Sequence, residues 1–259
     1  MAKIPTISAV LAAYNEEENI VDCLKSLKNF ADEIIVVDGN SQDNTAALAK
    51  DNGASVIKTT NKSMFHINKN MAIRAASGKW ILLMDADERV SLALAREIKQ
   101  KIKGNPKENG FWINRRNWFL GGYLKKGGAY PDSVIRLFRN GKGILPEISV
   151  HEQVKVDGEV GVLKNDILHF ADPDFARYLK RADRYTARTA LEIAKSSPGF
   201  NLFVILKYLI YKPILTFLAI FIRHKGYTDG FRGFAWAFFS GAHHFYAYIK
   251  YWESEKNSQ

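Results

Sequence analysis

The chain has 259 residues, of which 47% are hydrophobic and 25% charged, a composition that excludes a disordered or fibrous protein. A single cysteine, Cys23, excludes an internal disulfide and favours a reducing compartment. The formal net charge is +10, and 13 Lys/Arg against 5 Asp/Glu from Ala176 onward place +8 of it in the last third, which indicates an anionic partner there.

The length allows one large domain with an appendage. We expect a domain over residues 1–173, with halves at 1–105 and 106–173, and a basic, aromatic-rich helical appendage over residues 174–259. Residues 1–5 lack the apolar core of a signal peptide, which predicts a protein made and kept in the cytosol.

The first hundred residues alternate short apolar runs with helical patterns. Strands are predicted at residues 7–13, 33–37, 55–58 and 80–84. Helices are predicted between them, the first capped by Asn15 and the others at about 44–52 and 69–76. This β-α-β-α-β-α-β order with short links predicts an α/β fold, with a mostly parallel, Rossmann-like sheet between helices.

An apolar run ends in two aspartates, Asp85 and Asp87. Residues 80–84 suit a strand buried on both faces of a parallel sheet, and ligands bind beyond the carboxyl ends of such strands. Two carboxylates at this spacing suit Mg²⁺ or Mn²⁺ shared with phosphate oxygens. The alternative is an acidic first turn of the helix that follows Ser91.

Nucleotide binding in this half would not follow the dinucleotide pattern, because no G-x-G-x-x-G follows the first strand. Phosphate would instead be held through a metal at Asp85 and Asp87. Asp38, at the end of the second strand, could accept hydrogen bonds from a base or ribose. The alternative for Asp38 is a turn aspartate before Gly39.

Four pieces of the sequence carry a family resemblance in combination. They are Leu11-Ala12-Ala13-Tyr14-Asn15-Glu16-Glu17, Val36-Val37-Asp38-Gly39-Asn40-Ser41-Gln42-Asp43-Asn44-Thr45, Lys69-Asn70 with Ala76-Ser77-Gly78, and Met84-Asp85-Ala86-Asp87-Glu88. Residues 6–103 therefore resemble the nucleotide-binding half of a family 2 glycosyltransferase with the GT-A fold. Gly39 departs from the family, which often has a second aspartate there, and this leaves the base preference open.

The resemblance implies roles for individual residues. The implied nucleotide-sugar site consists of Ala13, Tyr14, Glu16, Asp38, Lys69, Asp85 and Ala86. In it, Asp38 would contact the base and Lys69 the ribose or phosphates. Asp85 would meet the ribose or the metal, and Asp87 would ligate the metal, Mn²⁺ or Mg²⁺, that bridges the two phosphates of the donor.

The middle of the chain turns to aromatic and β-branched strands between glycine pairs at 121–122 and 127–128. Arg136 and Arg139 lie on one such strand, and they face either the site and its phosphates or solvent. His169 follows an apolar stretch. It is either a satisfied core histidine or, as the resemblance implies for GT-A enzymes with a late histidine, a metal ligand.

Residues 149–154 contain the expected catalytic base. Inverting sugar transfer needs a carboxylate to take the proton from the attacking hydroxyl and a positive centre to stabilise the departing diphosphate. This stretch resembles the acceptor-side acidic motif of the family, although an aspartate after another acid is more usual there. Glu152 would be the base and His151 would hold or tune it. The alternative for Glu152 is an exposed strand end.

The last third predicts a basic helix over residues 174–195 and then an apolar stretch over 200–222. Lys207, Lys212 and Pro213 interrupt that stretch and leave an uncharged run of ten residues, whereas a span needs about 20. We therefore expect an interfacial helix pair that binds anionic lipid. The alternative is packing on the first domain or on another subunit, which leaves a homo-oligomer open. Nucleic acid is not expected, because no nucleic-acid motif occurs.

The resemblance as a whole implies an inverting, metal-dependent glycosyltransferase. It would move a hexose from a nucleotide diphosphate sugar, UDP-linked by preference, to a lipid-linked glycan acceptor. Residues 226–231 look like the tail of bacterial family 2 enzymes that build lipopolysaccharide core or surface glycans, so the enzyme would be peripheral on the cytoplasmic membrane face. One alternative is a polyprenyl-phosphate glycosyltransferase, and another is a non-catalytic nucleotide-sugar-binding membrane scaffold.

Overall fold

A computed structural model describes residues 6–62, 64–147, 153–196 and 201–257 of the chain. The chain divides into two compact units. The sheet unit comprises Met1–Arg115 and Ser133–His169, and the helical unit comprises Arg116–Asp132 and Phe170–Gln259. The helical unit therefore begins close to the predicted boundary at residue 174 and also includes a piece of chain from the middle of the sequence.

Ten of the described strands form one sheet, in the order β3-β2-β1-β4-β8-β6-β12-β5, with β7 and β11 also paired to β6. The strands are β1 (Ile7–Ala13), β2 (Glu33–Asp38), β3 (Ser55–Lys58), β4 (Trp80–Met84), β5 (Glu88–Val90), β6 (Gly110–Phe119), β7 (Gly122–Tyr123), β8 (Asp132–Arg139), β9 (Gly143–Ile144), β10 (Lys155–Val156), β11 (Val160–Val162) and β12 (Ile167–His169). The helices of the sheet unit are α1 (Glu17–Leu27), α2 (Thr45–Asp51), α3 (Phe65–Ala75) and α4 (Leu92–Lys103).

The strand directions confirm the predicted α/β fold. Strands β3, β2, β1 and β4 run parallel, joined through helices as the β-α-β pattern predicts. Beyond β4 the sheet becomes mixed, because β8 pairs antiparallel with β4 and β12 pairs antiparallel with β5. The parallel strands bring their carboxyl ends to one edge, and the antiparallel strands extend the sheet beside that edge.

The central strand β4 is buried on both faces. Trp80, Leu82 and Met84 pack into one hydrophobic cluster, and Ile81 and Leu83 pack into the cluster on the opposite face. A strand covered on both sides reads as a continuous apolar run rather than an alternating one. The apolar run before Asp85 is therefore explained by two cores, one on each face of the sheet.

Three local expectations need correction. Asn15 does not cap α1, because it adopts a left-handed backbone with φ of 54° and Glu16 occupies the cap position. Helix α3 begins at Phe65 rather than near Lys69. Asp85 and Asp87 do not lie in the first turn of α4, because β5 separates them from that helix, whose cap is Ser91.

The thiol of Cys23 is fully buried beneath the aspartate turn, with Sγ 3.6 Å from the carbonyl oxygen of Asp85. Burial, reinforced by the nearby Glu88 carboxylate, raises the pKa of Cys23 well above its usual value. We expect a disulfide reagent to label the native protein at least about a thousandfold more slowly than the urea-unfolded chain. The unlabelled control is Cys23→Ser in urea, and rapid native labelling would show that α1 separates easily from β4.

The helical unit contains α5 (Phe175–Ser196), α6 (Leu202–Leu206), α7 (Lys212–Leu218) and α8 (Phe231–Asn257). The π-helical segment Lys207–Tyr211 joins α6 to α7, and a second one, Ala219–Arg223, extends α7. One helical run therefore covers Leu202–Arg223, here called the apolar helix. The predicted interruption at Lys207, Lys212 and Pro213 is therefore wrong. The π-helical turn before Pro213 accommodates its missing N–H and its ring within the helix.

The apolar helix packs antiparallel on α8. Tyr208 stacks on Tyr248 with ring centroids 5.3 Å apart, and at the next crossing a Cβ on Gly241 would lie 2.6 Å from the Pro213 carbonyl oxygen. A hydrogen bond of 3.0 Å joins Thr216 Oγ1 to His244 Nε2 across the pair. Close backbone approach at a small residue and a satisfied polar pair hold the two helices together.

Candidate active site

The carboxyl ends of β1, β2 and β4 lie at one edge of the sheet. Ala13 at the end of β1 is in register with Asp38 of β2, and Leu11 is in register with Met84 at the end of β4. Because these strands are parallel, Asp38 and the aspartates that follow Met84 emerge on the same edge, where ligands of open α/β sheets bind.

At the β1–β2 end of this edge, polar groups organise the turns. Asp38 is buried, and its carboxylate accepts hydrogen bonds from the Ser41 amide (3.2 Å) and the Ser41 hydroxyl (2.5 Å). The backbone N–H of Glu16 donates to Thr45 Oγ1 at 2.7 Å. The turn role considered for Asp38 is therefore present, and its contact with a base stays a prediction.

The remaining predicted residues of this end differ in exposure. Ala13 is buried, and its carbonyl accepts a 2.9 Å hydrogen bond from the Gly39 amide. Tyr14 directly follows the carboxyl end of β1, and its side chain is exposed. An exposed ring beside a row of strand ends is available to stack on a planar ligand, which leaves the predicted base-pocket role of Tyr14 open to a binding test.

Asp85 lies between two buried cations. One of its carboxylate oxygens pairs with the Lys69 ammonium from α3, and the other pairs with the Arg136 guanidinium from β8. Burial favours the neutral acid, but Arg136 and Lys69 outweigh it and hold the pKa of Asp85 well below its usual range. The structure thus brings the predicted residues Lys69 and Asp85 into direct contact.

Glu88 organises the turn from below and was not singled out from the sequence. It is fully buried, and one oxygen accepts the Asp85 backbone N–H at 2.9 Å. Its other oxygen accepts from Arg136 Nη2 at 2.7 Å, and Arg115 Nη1 lies 3.7 Å away. A buried carboxylate at this point fixes both the aspartate turn and the guanidinium beside it.

The two arginines of β8 have different roles. Arg136 is the buried, site-facing one, and its Nε has no hydrogen-bond partner among the described atoms. Arg139 instead lies over the Trp80 ring at 4.7 Å and donates to the Pro106 carbonyl at 2.5 Å. The sequence left open whether these arginines face the site or solvent. Arg136 faces the candidate site, whereas Arg139 packs at the opposite end of β8.

Asp87 lies beside His169 of β12. The distance from Asp87 Oδ2 to His169 Nε2 is 3.5 Å, and both side chains are largely buried. Burial alone would lower the pKa of His169, but the Asp87 carboxylate raises it above its usual value. The two residues predicted as metal ligands therefore lie side by side, although they come from distant parts of the sequence, and their role in metal binding stays a prediction.

A polar cavity of about 240 Å³ opens beside Asp85. Its wall includes Lys69, Asp85, Arg115, Arg136 and Gln153. Lys69, Arg115 and Arg136 thus present N–H donors to a space next to the aspartate turn, an arrangement suited to an anionic group, although Asp85 and Glu88 already pair with these cations.

The expected base, Glu152, and its neighbour His151 lie outside the described residues. The chain on either side of them is held at the cavity. Asn70 of α3 accepts from the Leu145 amide (3.1 Å) and donates to the Leu145 carbonyl (2.9 Å) and to Glu147 Oε1 (2.8 Å). On the other side, Gln153 lines the cavity.

Asn70 therefore connects α3, which also carries Lys69, to the chain that leads toward residue 152. Replacing Asn70 with alanine is expected to cost about 1–3 kcal/mol of unfolding free energy, because it leaves buried backbone groups unsatisfied. Urea denaturation measures this cost. The matched control is Asn44→Ala at an exposed amide, expected within about 0.5 kcal/mol of the parent chain; equal costs for the two variants would contradict this role of Asn70.

Residues 8–131 match the family described as Glycosyl transferase family 2. The lipopolysaccharide core biosynthesis glycosyltransferase LpsC of Rhizobium meliloti is 28% identical over 249 residues, which cover 90% of this chain and 86% of LpsC. A TPR repeat-containing protein of Synechococcus elongatus is 34% identical over 154 residues, 59% of this chain and 36% of that protein. This chain thus spans about a third of the length of the cyanobacterial relative.

Among solved structures, the chain is similar in fold to Staphylococcus aureus TarS. The TM-score is 0.50 at 17% sequence identity, and the match covers 87% of this chain and 45% of TarS. At this level of identity the likeness concerns the fold alone. It agrees with the mixed α/β sheet and the helical C-terminal region described above.

Proposed function

We propose that this glycosyltransferase, whose residues 8–131 match Glycosyl transferase family 2, transfers a hexose with inversion from a UDP-sugar to a lipid-linked glycan acceptor in cell-envelope polysaccharide or lipopolysaccharide synthesis. One observation carries the proposal. The Asp85–Asp87 turn stands at the carboxyl end of β4, with Lys69, Arg136 and His169 around it. It borders a cavity suited to an anion.

The charges of this cluster favour a metal-dependent donor site. Asp85, Asp87 and Glu88 supply three carboxylates, against the three permanent cations Lys69, Arg115 and Arg136. A nucleotide sugar would add a diphosphate with a charge of about −2 to a cluster that is already balanced. A divalent cation that binds together with the nucleotide sugar would neutralise the charge of the diphosphate. Lys69, Arg115 and Arg136 could then keep their contacts with the buried carboxylates.

The protein side chains present would supply only part of the ligand set of such a cation. This fits a site in which the nucleotide sugar supplies the other ligands. Within the described ranges, no three His, Cys, Asp or Glu side chains are grouped closely enough to hold a metal by themselves. Asp87 and His169 would supply one oxygen and one nitrogen, and the diphosphate would supply further oxygens. This mixed pair favours Mn²⁺ over Mg²⁺, which prefers oxygen ligands. When bound, the cation stabilises the negative charge of the leaving diphosphate.

The protein side chains would perform the remaining tasks. Lys69 and Arg136, held in place by Asp85 and Glu88, would present N–H donors to the diphosphate. Asp85 would in turn hold the ribose or share the metal. Glu152 would take the proton from the acceptor hydroxyl, with His151 positioning it, a role supported by the place of its neighbour Gln153 on the cavity wall.

Replacing Glu152 with glutamine is expected to lower kcat by about a hundredfold, because a neutral amide cannot accept the hydroxyl proton. Binding of the nucleotide donor should change little. An acceptor phosphate would need little base help, so unchanged kcat would indicate polyprenyl-phosphate transfer instead. Rates of nucleoside diphosphate release from Glu152→Gln and from the exposed control Glu253→Gln give the comparison.

The acceptor is proposed from two observations. LpsC, a relative that matches over 90% of this chain, is named for lipopolysaccharide core biosynthesis. The helical unit carries a large exposed apolar surface, which suits an enzyme that meets its acceptor as a peripheral protein on the cytoplasmic face of the cell membrane.

The test is transfer to lipid-linked core glycan purified from an envelope mutant that lacks the outer sugars, with UDP-hexoses as donors. Mass spectrometry should show the addition of one hexose, and NMR should show an anomeric configuration opposite to that of the donor. Retention of configuration, or hydrolysis of the donor with no transfer to any lipid-linked glycan, would contradict the proposal.

A further inference from the structure

The apolar helix exposes a continuous apolar stripe. Its exposed residues recur every three or four positions along one face: Phe203, Leu206, Ile210, Ile214, Leu218 and Ile222. Helix α8 exposes a second stripe, with steps of three or four residues and one step of seven: Phe231, Phe234, Phe238, Phe245, Ile249 and Trp252. Two long apolar stripes on neighbouring helices exceed what a soluble monomer ordinarily shows to water.

The two lysines within the apolar helix do not interrupt its stripe. Lys207 Nζ and Lys212 Nζ lie over the ring of Tyr208, at 5.7 and 4.3 Å from its centroid. Tyr208 is buried against Tyr248 of α8, on the inner side of the helix pair. Both ammonium groups are thus drawn back by cation–π contacts toward the inner side.

The two stripes join into one surface. Phe234 of α8 lies 5.8 Å from Phe217 and 6.0 Å from Phe221 of the apolar helix, measured between ring centroids. Along α8, Phe234 stacks with Phe231 and Phe238 at 6.5 and 6.2 Å. The helix pair therefore has a single aromatic and aliphatic face, here called the hairpin face.

The turn that joins the two helices is tied to residues 120–127 of the same unit. The Asp229 carboxylate accepts from the backbone N–H groups of Lys125 and Lys126 at 2.9–3.1 Å. The Gly127 N–H donates to the His224 carbonyl at 3.0 Å, and Arg232 Nε donates to the Leu120 carbonyl at 3.1 Å.

These bonds also bring a cluster of exposed cations together at the turn. The cluster consists of Lys125, Lys126, Arg223, Lys225 and Arg232. Next to it, Tyr227 and Phe231 are exposed aromatic residues. A basic cluster beside aromatic side chains, at one end of an apolar face, matches the order of phosphates and acyl chains at an anionic lipid surface.

We propose that the hairpin face lies within one leaflet of an anionic membrane, parallel to its plane, with the basic cluster at the lipid phosphates. This deepens the membrane location in the proposed function and specifies how contact is made. Two copies meeting at this end would instead bring two basic clusters together, which repel each other.

By length and composition the apolar helix could cross a bilayer, but the bonds at its turn argue against a crossing that takes this turn to the far side. A crossing would carry the turn, and residues 120–127 bonded to it, through the membrane. The chain from 120 to 131 leaves β6 and returns at β8, so its twelve residues can reach out and back by only about 20 Å. The hydrocarbon core is about 30 Å thick. The in-plane arrangement requires no crossing.

Flotation of the full chain with vesicles tests the proposal. Vesicles of phosphatidylcholine and phosphatidylglycerol, about 3:1, should carry the protein upward, with about tenfold weaker partitioning onto phosphatidylcholine alone. Phe203→Glu/Phe231→Glu should lower partitioning at least about a hundredfold. Both side chains are exposed, at 75% and 76%, and Leu92→Glu at an equally exposed residue (78%) of the sheet unit is the matched control.

Unchanged flotation of the double variant, or equal loss with Leu92→Glu, would overturn the proposal. The proposal would also be overturned if the parent chain does not float and runs as a dimer in gel filtration, while the double variant runs as a monomer. Thermal melting checks that the variants fold. If the double variant melts early, Arg223→Glu/Lys225→Glu tests the basic cluster instead, and flotation equal to that of the parent chain overturns the proposal.

Labelling with a membrane-impermeant maleimide tests the orientation. Tyr227→Cys and Glu253→Cys place thiols at the two ends of the helix pair, and the buried Cys23 of the parent chain gives the background. Both thiols should react when the reagent is added outside vesicle-bound protein. Protection of Tyr227→Cys until detergent is added would mean that the hairpin spans. Vesicle binding needs no nucleotide-sugar donor. If the membrane arrangement is wrong, flotation fails while UDP-dependent turnover remains. If the proposed function is wrong, turnover fails while flotation remains.

Discussion

Replacing Asp87 with asparagine is expected to lower kcat/KM for sugar transfer by about a thousandfold or more, because one of two protein ligands of the proposed cation is lost. The amide keeps the shape of the side chain and a hydrogen bond to His169, so the free energy of unfolding should change little. Initial rates of nucleoside diphosphate release at saturating Mn²⁺ measure the effect.

A nearby aspartate outside the cluster provides the control. Asp22 is exposed and pairs with Arg89 at 3.3 Å, so Asp22→Asn should leave the rate within about twofold of the parent enzyme. An Asp87→Asn enzyme that keeps more than about a tenth of the parent rate would show that the charge of Asp87 does not hold the donor or its cation.

Replacing Arg136 with methionine is expected to cost about 3–5 kcal/mol of unfolding free energy, as well as nearly all activity. The guanidinium pairs with Asp85 and with the fully buried Glu88, so its loss leaves the Glu88 carboxylate with the more distant Arg115, 3.7 Å away, as its cationic partner among the described residues. Urea denaturation measures the loss of unfolding free energy separately from the loss of activity.

A double variant distinguishes this cause from a packing defect. Glu88→Gln removes the buried charge while it retains an amide oxygen for the Asp85 backbone N–H. Combined with Arg136→Met, it should recover about half or more of the lost stability but none of the activity. A double variant no more stable than Arg136→Met alone would mean that the buried carboxylate is not the source of the instability.

The half of the fold that holds the site was predictable from local pattern. The apolar run before Asp85 needs two covering layers, and the short links between alternating strands and helices fix the parallel direction. The edge that carries Asp38, Asp85 and Asp87 follows from that topology. A site residue could therefore be anticipated wherever it directly follows a parallel strand.

Residues that meet the site across the sheet were harder to anticipate. Glu88 lies one position beyond the aspartate pair and reads as a surface acid until Arg136 and Arg115 are placed on it by β8 and β6. Their pairing depends on strand order, which a single sequence does not specify. The available signal was Arg136 itself, a charged residue inside the strand pattern of residues 134–139.

The apolar helix shows a different limit. Charged residues count against a membrane segment when they are read along the chain, yet Lys207 and Lys212 both fold back over Tyr208. Whether a lysine interrupts an apolar face depends on where its ammonium group lies, which is decided by the neighbouring helix. The predicted break was wrong for this reason, whereas the predicted helical C-terminal region is present and its contact with a membrane stays a prediction.

The central claim is a metal-dependent donor site at Asp85 and Asp87. The most direct measurement is nucleoside diphosphate release by the purified chain from a panel of UDP-, GDP- and dTDP-sugars, with Mn²⁺ or with EDTA. We predict release from a UDP-hexose that requires Mn²⁺ and disappears in Asp87→Asn. Equal release in EDTA, or no release from any donor, would contradict the claim.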